Sequence, residues 1–171
     1  MRTFNLSSAT NKRQDSSFRE KHRWPVFFCF WFAKSELEHD PTGHDWWHVR
    51  RVATMAGKLV QSEGADFFIC AVAALLHDVA DEKLNESKEA GLQKVSSWLE
   101  RQPVEEEDRR HIIEIIANMS YNAGANPPMR TLEGKVVQDA NRLDAIGAIA
   151  IARTFLYAGW SGQPIYDPHR S

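Results

Sequence analysis

Residues 66–81 read DFFICAVAALLHDVAD, and this stretch decides the fold. Asp66 is an N-cap residue, and the apolar run behind it spans the window of a helix over about residues 67–80. Its residues are apolar on every side, which suits a helix buried among other helices and not one lying on a surface. The run closes on His77-Asp78. Two adjacent ionisable residues at the end of an apolar helix are poor packing groups. Neighbours on a helix point about 100° apart, so both reach one centre only near a helix end or groove, and these two lie near such an end.

Working outward, the chain reads as helical throughout. Val26–Ala33, VFFCFWFA, is too short to span a bilayer and leads straight into KSELEHD, so it reads as a buried opening helix. A helix fits Asp45–Glu63, closed by Gly64, with Val52, Met55 and Leu59 on one stripe. A more polar helix fits about Glu86–Arg101 and stops before Pro103, and another covers about Val104–Met119 with Ile112, Ile115, Ile116 and Met119 on one face. A loop holding Gly124, Pro127 and Pro128 precedes a last helix over about Leu132–Tyr157. No longer period-2 strand competes. The expectation is an all-α bundle of about five to six helices.

Composition narrows the function classes. The 171 residues carry 21 basic and 23 acidic side chains for a net charge of −2, so no overall basic field attracts nucleic acid. Residues 1–23 nevertheless hold six basic and two acidic side chains, which leaves an acidic remainder. Residues 1–25 therefore read as a basic leader, either disordered or an organelle-targeting segment, and residues 26–171 as the domain. Cys29 and Cys70 lie in apolar surroundings without CxxC spacing, so they read as core residues in a reducing, cytoplasmic compartment. No transmembrane segment is expected.

The candidate chemistry lies in polar residues on apolar stripes. Stepping back from Leu59 through Met55 and Val52 reaches His48, either a core histidine or a ligand. Asp139 falls among Leu132, Val136, Leu143, Ile146 and Ala150, where a buried carboxylate needs a cation, either Arg142 or a metal. Two imidazoles and two carboxylates make a mixed N/O set suited to one divalent ion with open positions: Mn²⁺, Mg²⁺, Co²⁺, Ni²⁺ or Fe²⁺. Without thiolates a structural zinc site does not fit.

These residues carry a resemblance. GHDWWHVRRV (43–52), VAALLHDVAD (72–81) and TLEGKVVQDANRLDAIGAIAIARTF (131–155) resemble the H…HD…D signature of the HD-domain metal-dependent phosphohydrolases, in particular a bacterial-type branch that hydrolyses nucleotide phosphates. The likeness covers about residues 33–168. It implies His48, His77, Asp78 and Asp139 as metal ligands, with manganese the foremost candidate, and a small nucleotide as substrate. Asp81 matches an acidic position that handles a proton or orients water; the plain alternative is a solvated carboxylate. The stretch IIANMSY lacks the extra histidines of two-metal members, which favours one metal, and His111 reads as solvated or capping. The resemblance implies pyrophosphohydrolase or nucleotidase chemistry.

An ion in such a site polarises a phosphoryl oxygen and lowers the pKa of water. Cations must also hold the substrate phosphates, and the candidates are Arg51, Lys83, Arg130 and Arg142, each also readable as surface charge. His44 reads equally as a phosphate contact and as a packing residue. Two departures stand out. Asn141 occupies a position where relatives carry Asp, expected to lie behind the ligands. Relatives also continue for several helical turns beyond Ser171, so a missing closing helix is expected to expose the site or lower activity. Two other readings are a non-catalytic nucleotide-binding protein of the same fold and a zinc protease built on His44-Asp-Trp-Trp-His48. Against the protease stand the short Asp in place of Glu and the nearby Pro41 and Gly43.

Overall fold

A computed structural model of the chain describes residues 16–119 and 127–169. Among these described residues seven α-helices follow one another: α1 (Ser16–Leu37), α2 (Trp46–Glu63), α3 (Phe67–Leu76), α4 (Lys88–Glu100), α5 (Glu106–Asn118), α6 (Leu132–Asp144) and α7 (Gly147–Trp160), with a 3₁₀ turn at Asp78–Ala80. The all-α expectation holds, and no strand occurs among the described residues. Most of the proposed leader lies outside the described residues. Its expected boundary at residue 25 falls inside α1, which starts at Ser16 and runs through Pro25. Among the described residues no helix is long and apolar enough to cross a membrane.

The all-round apolar character of residues 67–76 has the predicted consequence. Every residue from Phe68 to Leu76 is buried, and α3 packs against α1, α2, α5 and α6. Asp66 caps the helix by accepting the Phe68 and Ile69 N–H groups, and its own N–H donates to Glu133 of α6. Asp45 caps α2 through the His48 N–H, and Gly64 closes α2 at a φ of 76°. Burial pushes the thiol pKa of Cys29 and Cys70 upward, as suits core residues.

Two features place the end of α3. His77 continues the helical backbone, and the chain then tightens into the 3₁₀ turn carrying Asp78. Asn85 Nδ2 donates to the Val79 and Asp81 carbonyls at 2.9 and 2.7 Å, stapling that turn from below. Gly91 of α4 faces the same turn so closely that an added Cβ would stand 2.2 Å from the Ala80 oxygen. Only glycine permits this approach.

The C-terminal part departs from expectation. The single helix expected over residues 132–157 is broken after Asp144: Ile146 is extended and Gly147 has a φ of 77°. The apolar pattern continues through the break, so periodicity does not reveal it. The phase of α6 also differs. Its buried face is Gly134, Val136, Val137 and Ala140, whereas Leu132 and Leu143 are 41% and 42% exposed. The face chosen from the sequence lies largely outward. Helix α7 buries no residue and leaves Ile149, Ile151, Phe155, Leu156 and Trp160 exposed.

Candidate metal centre

Three of the predicted ligands meet at one point. His48 comes from the first turn of α2, His77 from the end of α3 and Asp78 from the 3₁₀ turn, and all three are buried. One potential ligand atom from each lies within 4.8 Å of the others. His48 Nε2 stands 3.3 Å from Asp78 Oδ2, and His77 Nε2 stands 3.2 Å from Asp78 Oδ1.

The far side of each imidazole determines which nitrogen carries the proton. His77 Nδ1 is 2.9 Å from the Ala74 carbonyl oxygen, and His48 Nδ1 is 2.6 Å from Asp144 Oδ2. A carbonyl and a carboxylate only accept, so both Nδ1 atoms donate. In neutral imidazoles both Nε2 atoms then present bare lone pairs to the Asp78 carboxylate. Burial lowers the His48 pKa, favouring that neutral form, while Asp144 and Asp78 act in the opposite direction. Burial works against the Asp78 charge, but Arg153 and, when protonated, His77, His48 and His44 place positive charge beside it and its pKa is lowered.

Lone pairs facing a carboxylate in a buried space need a cation between them. Among the described residues, His77 Nε2 and Asp78 Oδ2 are buried and find no hydrogen-bond partner. Two imidazoles turned with Nε2 inward, one carboxylate and two polar atoms left unpartnered fit a divalent transition-metal ion.

The fourth predicted ligand does not join them. Asp139 is exposed on the outer side of α6, because the helix docks through Val137 and Ala140 and turns Asp139 away from the core. The expectation of a buried Asp139 is therefore corrected. The α6 carboxylate at the site is Asp144, which sequence reasoning missed. Its spacing from Val137 and Ala140, at i+7 and i+4, marks it as belonging to the face that docks. Burial opposes the Asp144 charge, yet hydrogen bonds from His48 and Arg51 hold its pKa far below the usual carboxylate range. Asn141 is half-buried on α6, one turn before Asp144.

The remaining candidates divide. His44 stands beside the centre, its ring 6.4 Å from that of His48. Thr42 contacts its Nδ1 at 2.9 Å, Asp40 holds the Thr42 hydroxyl, and Lys83 Nζ donates to its Nε2 at 3.1 Å. Burial lowers the His44 pKa. Lys83 also lies over the Tyr157 ring at 5.4 Å. Asp81 ends the 3₁₀ turn, half-buried, with Oδ1 accepting the Lys83 N–H at 2.9 Å. Arg51 is committed elsewhere: its Nε and Nη2 donate to Asp144 at 2.7 and 3.0 Å. Arg142 is exposed on α6, and Arg130 lines a different pocket with Glu114, Asn118 and Met129. His111 contacts the Thr131 hydroxyl at 2.9 Å, in keeping with a role outside the centre.

A cation absent from the sequence reading reaches the site from α7. Arg153 Nε donates to the Gly43 carbonyl at 2.6 Å and Nη1 to Asp144 Oδ2 at 3.3 Å. The helix break brings α7 back toward the loop preceding α2, a placement that local sequence pattern does not encode.

The profile of the HD domain family matches residues 46–146, more than half of the chain and all three clustered residues. The chain belongs to the HD domain family. This HD domain is 41% identical over 143 residues to the uncharacterized protein YpgQ of Bacillus subtilis (strain 168), covering 82% of this chain and 69% of YpgQ. The crystal structure of YpgQ in complex with ADP superposes with a TM-score of 0.69 at 38% identity, over 85% of this chain and 74% of that one. The crystal structure of an HD-superfamily hydrolase from Bacillus thuringiensis matches at 52% identity and a TM-score of 0.68, over 88% and 73% of the two chains.

Proposed function

We propose that this HD domain is a metal-dependent phosphohydrolase acting on nucleotide phosphates, either as a nucleoside triphosphate pyrophosphohydrolase or as a nucleotidase. The observation that carries the reading is the meeting of two imidazole Nε2 atoms with the Asp78 carboxylate in a buried space, where His77 Nε2 and Asp78 Oδ2 find no hydrogen-bond partner among the described residues. The nucleotide part rests on the ADP bound to YpgQ, together with the cationic surroundings of the site.

His48, His77 and Asp78 would hold one divalent ion, with Mn²⁺ the first candidate for a mixed N/O set. When bound, it supplies Lewis acidity toward a phosphoryl oxygen and lowers the pKa of water. The chain's own residues do the rest. Lys83 lines the approach and would bind phosphate oxygens through its ammonium protons, with His44 Nε2 accepting from Lys83 and orienting it. Arg153 adds positive charge beside Asp144 and Asp78 without occupying the cluster. Asp81, three residues after Asp78, would take a proton from the attacking water through its carboxylate or orient that water. Asp139, Arg130 and Arg142 are left out of this machinery because no contact brings them to it. Arg51 is left out because it holds Asp144.

The test is a panel of nucleoside mono-, di- and triphosphates incubated with Mn²⁺, with products identified by chromatography. Release of phosphate or pyrophosphate that stops with chelator, and that falls at least about 100-fold in His77→Ala and Asp78→Ala, is the expected result. Nucleotide binding without product release would favour a non-catalytic binding protein instead. Full turnover and full metal content in Asp78→Ala would overturn the site assignment.

A further inference from the structure

We propose that Asp144 is a positioning residue of the metal centre, not one of its ligands: it holds His48 in the Nδ1–H form and thereby aims Nε2 at the ion. The inference rests on the metal-dependent reading above and goes beyond it by giving a role to a residue outside the ligand cluster.

The Asp144 carboxylate is saturated with donors. Asp144 Oδ2 accepts from His48 Nδ1 at 2.6 Å, from Arg51 Nη2 at 3.0 Å and from Arg153 Nη1 at 3.3 Å, while Oδ1 accepts from Arg51 Nε at 2.7 Å. Two guanidinium groups surround it, and their charge repels a divalent ion from these oxygens. The two nitrogens of an imidazole point in diverging directions. A group bonded at Nδ1 is therefore on the opposite side of the ring from whatever Nε2 faces. What Nε2 of His48 faces is Asp78.

His77 provides an internal comparison. Its Nδ1 donates to the Ala74 carbonyl, so the local helix backbone alone orients that ring. His48 sits at the start of its helix and has a partner from α6, 96 residues away. A carboxylate partner both fixes the proton on Nδ1 and increases the electron-donating power of Nε2, which a neutral carbonyl does less strongly. The arginines hold the carboxylate in place. Arg51 comes from the helix that carries His48, and Arg153 also donates to Gly43 in the loop just before that helix. Asp144 is thus locked from three directions, and the break after α6 is what lets Arg153 return to it.

The experiment uses the full chain with Asp144→Ala and Asp144→Asn. In metal-free, ¹⁵N-histidine-labelled protein, long-range ¹H–¹⁵N spectra are expected to show His48 as the Nδ1–H tautomer in the wild type and to lose that preference in Asp144→Ala. Calorimetric Mn²⁺ titration is expected to show binding weakened about 10–100-fold with one ion per chain retained. Asp144→Asn keeps an acceptor oxygen and is expected to fall between the two, and it carries the test if Asp144→Ala fails to fold. Unchanged tautomer and affinity in a folded variant would overturn the proposal. So would complete loss of binding in a folded variant, which would make Asp144 a ligand. If the wild type binds no Mn²⁺, the metal-dependent reading fails with it. If the wild type binds Mn²⁺ and cleaves nucleotides while both variants match it, only the positioning role fails.

Discussion

Gly91→Ala tests how the turn bearing Asp78 is supported. An alanine Cβ at this position would lie 2.2 Å from the Ala80 oxygen, 2.7 Å from the Ala80 carbonyl carbon and 2.9 Å from Asn85 Nδ2. The first two are backbone atoms, so no side-chain rotation relieves the clash. Ordinary van der Waals contact begins at 3.4 Å, and reaching it from 2.2 Å separates α4 from the turn by about 1.2 Å. Overpacking of this kind costs about 1–3 kcal/mol, and a backbone clash belongs at the upper end. Alanine returns about 1 kcal/mol through its higher helix propensity. The net expectation is a loss of about 2 kcal/mol, or a fall in Tm of about 4–8 °C for a chain of this size. Displacing the turn also moves Asp78 relative to His48 and His77, so Mn²⁺ affinity should drop along with stability. Urea unfolding and Mn²⁺ titration measure the two effects. Propensity alone predicts stabilisation. A Gly91→Ala protein as stable as the wild type, with undiminished Mn²⁺ affinity, would therefore refute the close-approach argument.

Other outcomes follow from the same geometry. Asp139→Asn should leave Mn²⁺ affinity within about twofold of wild type by calorimetry, because the residue is exposed and belongs to no cluster. Mn²⁺ at about 100 times its Kd should stabilise the fold by about 2.7 kcal/mol, raising Tm by roughly 5–10 °C in differential scanning fluorimetry, with chelator reversing the shift. Metal-free protein should lose stability in two stages on acidification. His44 and His48 have folded pKa values below their unfolded value near 6.5, so the unfolded chain takes up their protons first and stability falls as the pH drops below about 6.5. Asp78 and Asp144 have lowered pKa values and contribute stability above about pH 3.9, which is lost as the pH falls further through their folded values. Urea midpoints measured from about pH 7.5 to 3 in chelator check the sequence of these losses, and a flat profile between about 7 and 5 would contradict the histidine assignment.

The boundary between what was legible and what was not runs through particular residues. Asp66 and Gly64 mark helix ends through local chemistry, and the structure uses them where they were expected, while Asp45, read as the first residue of α2, serves as its N-cap. His48 was visible because it prolongs an apolar stripe, and His77-Asp78 because it closes one. Arg51 was visible as a charge but not by its partner, since its role depends on a carboxylate 93 residues away.

For this protein the sequence by itself determined the all-α class, the core helix α3 and three of the residues at the centre. Those features depend on contacts within a few residues along the chain, where capping and periodicity act. The tertiary structure alone decided the rotation of α6, and with it Asp144 in place of Asp139. Helix α6 carries apolar residues on more than one face, and periodicity says which residues share a face without saying which face docks. That choice belongs to the surfaces of α2 and α3. The break at Ala145–Gly147 and the return of Arg153 have the same origin: glycine permits the turn, but the contacts with Gly43 and Asp144 define where α7 goes.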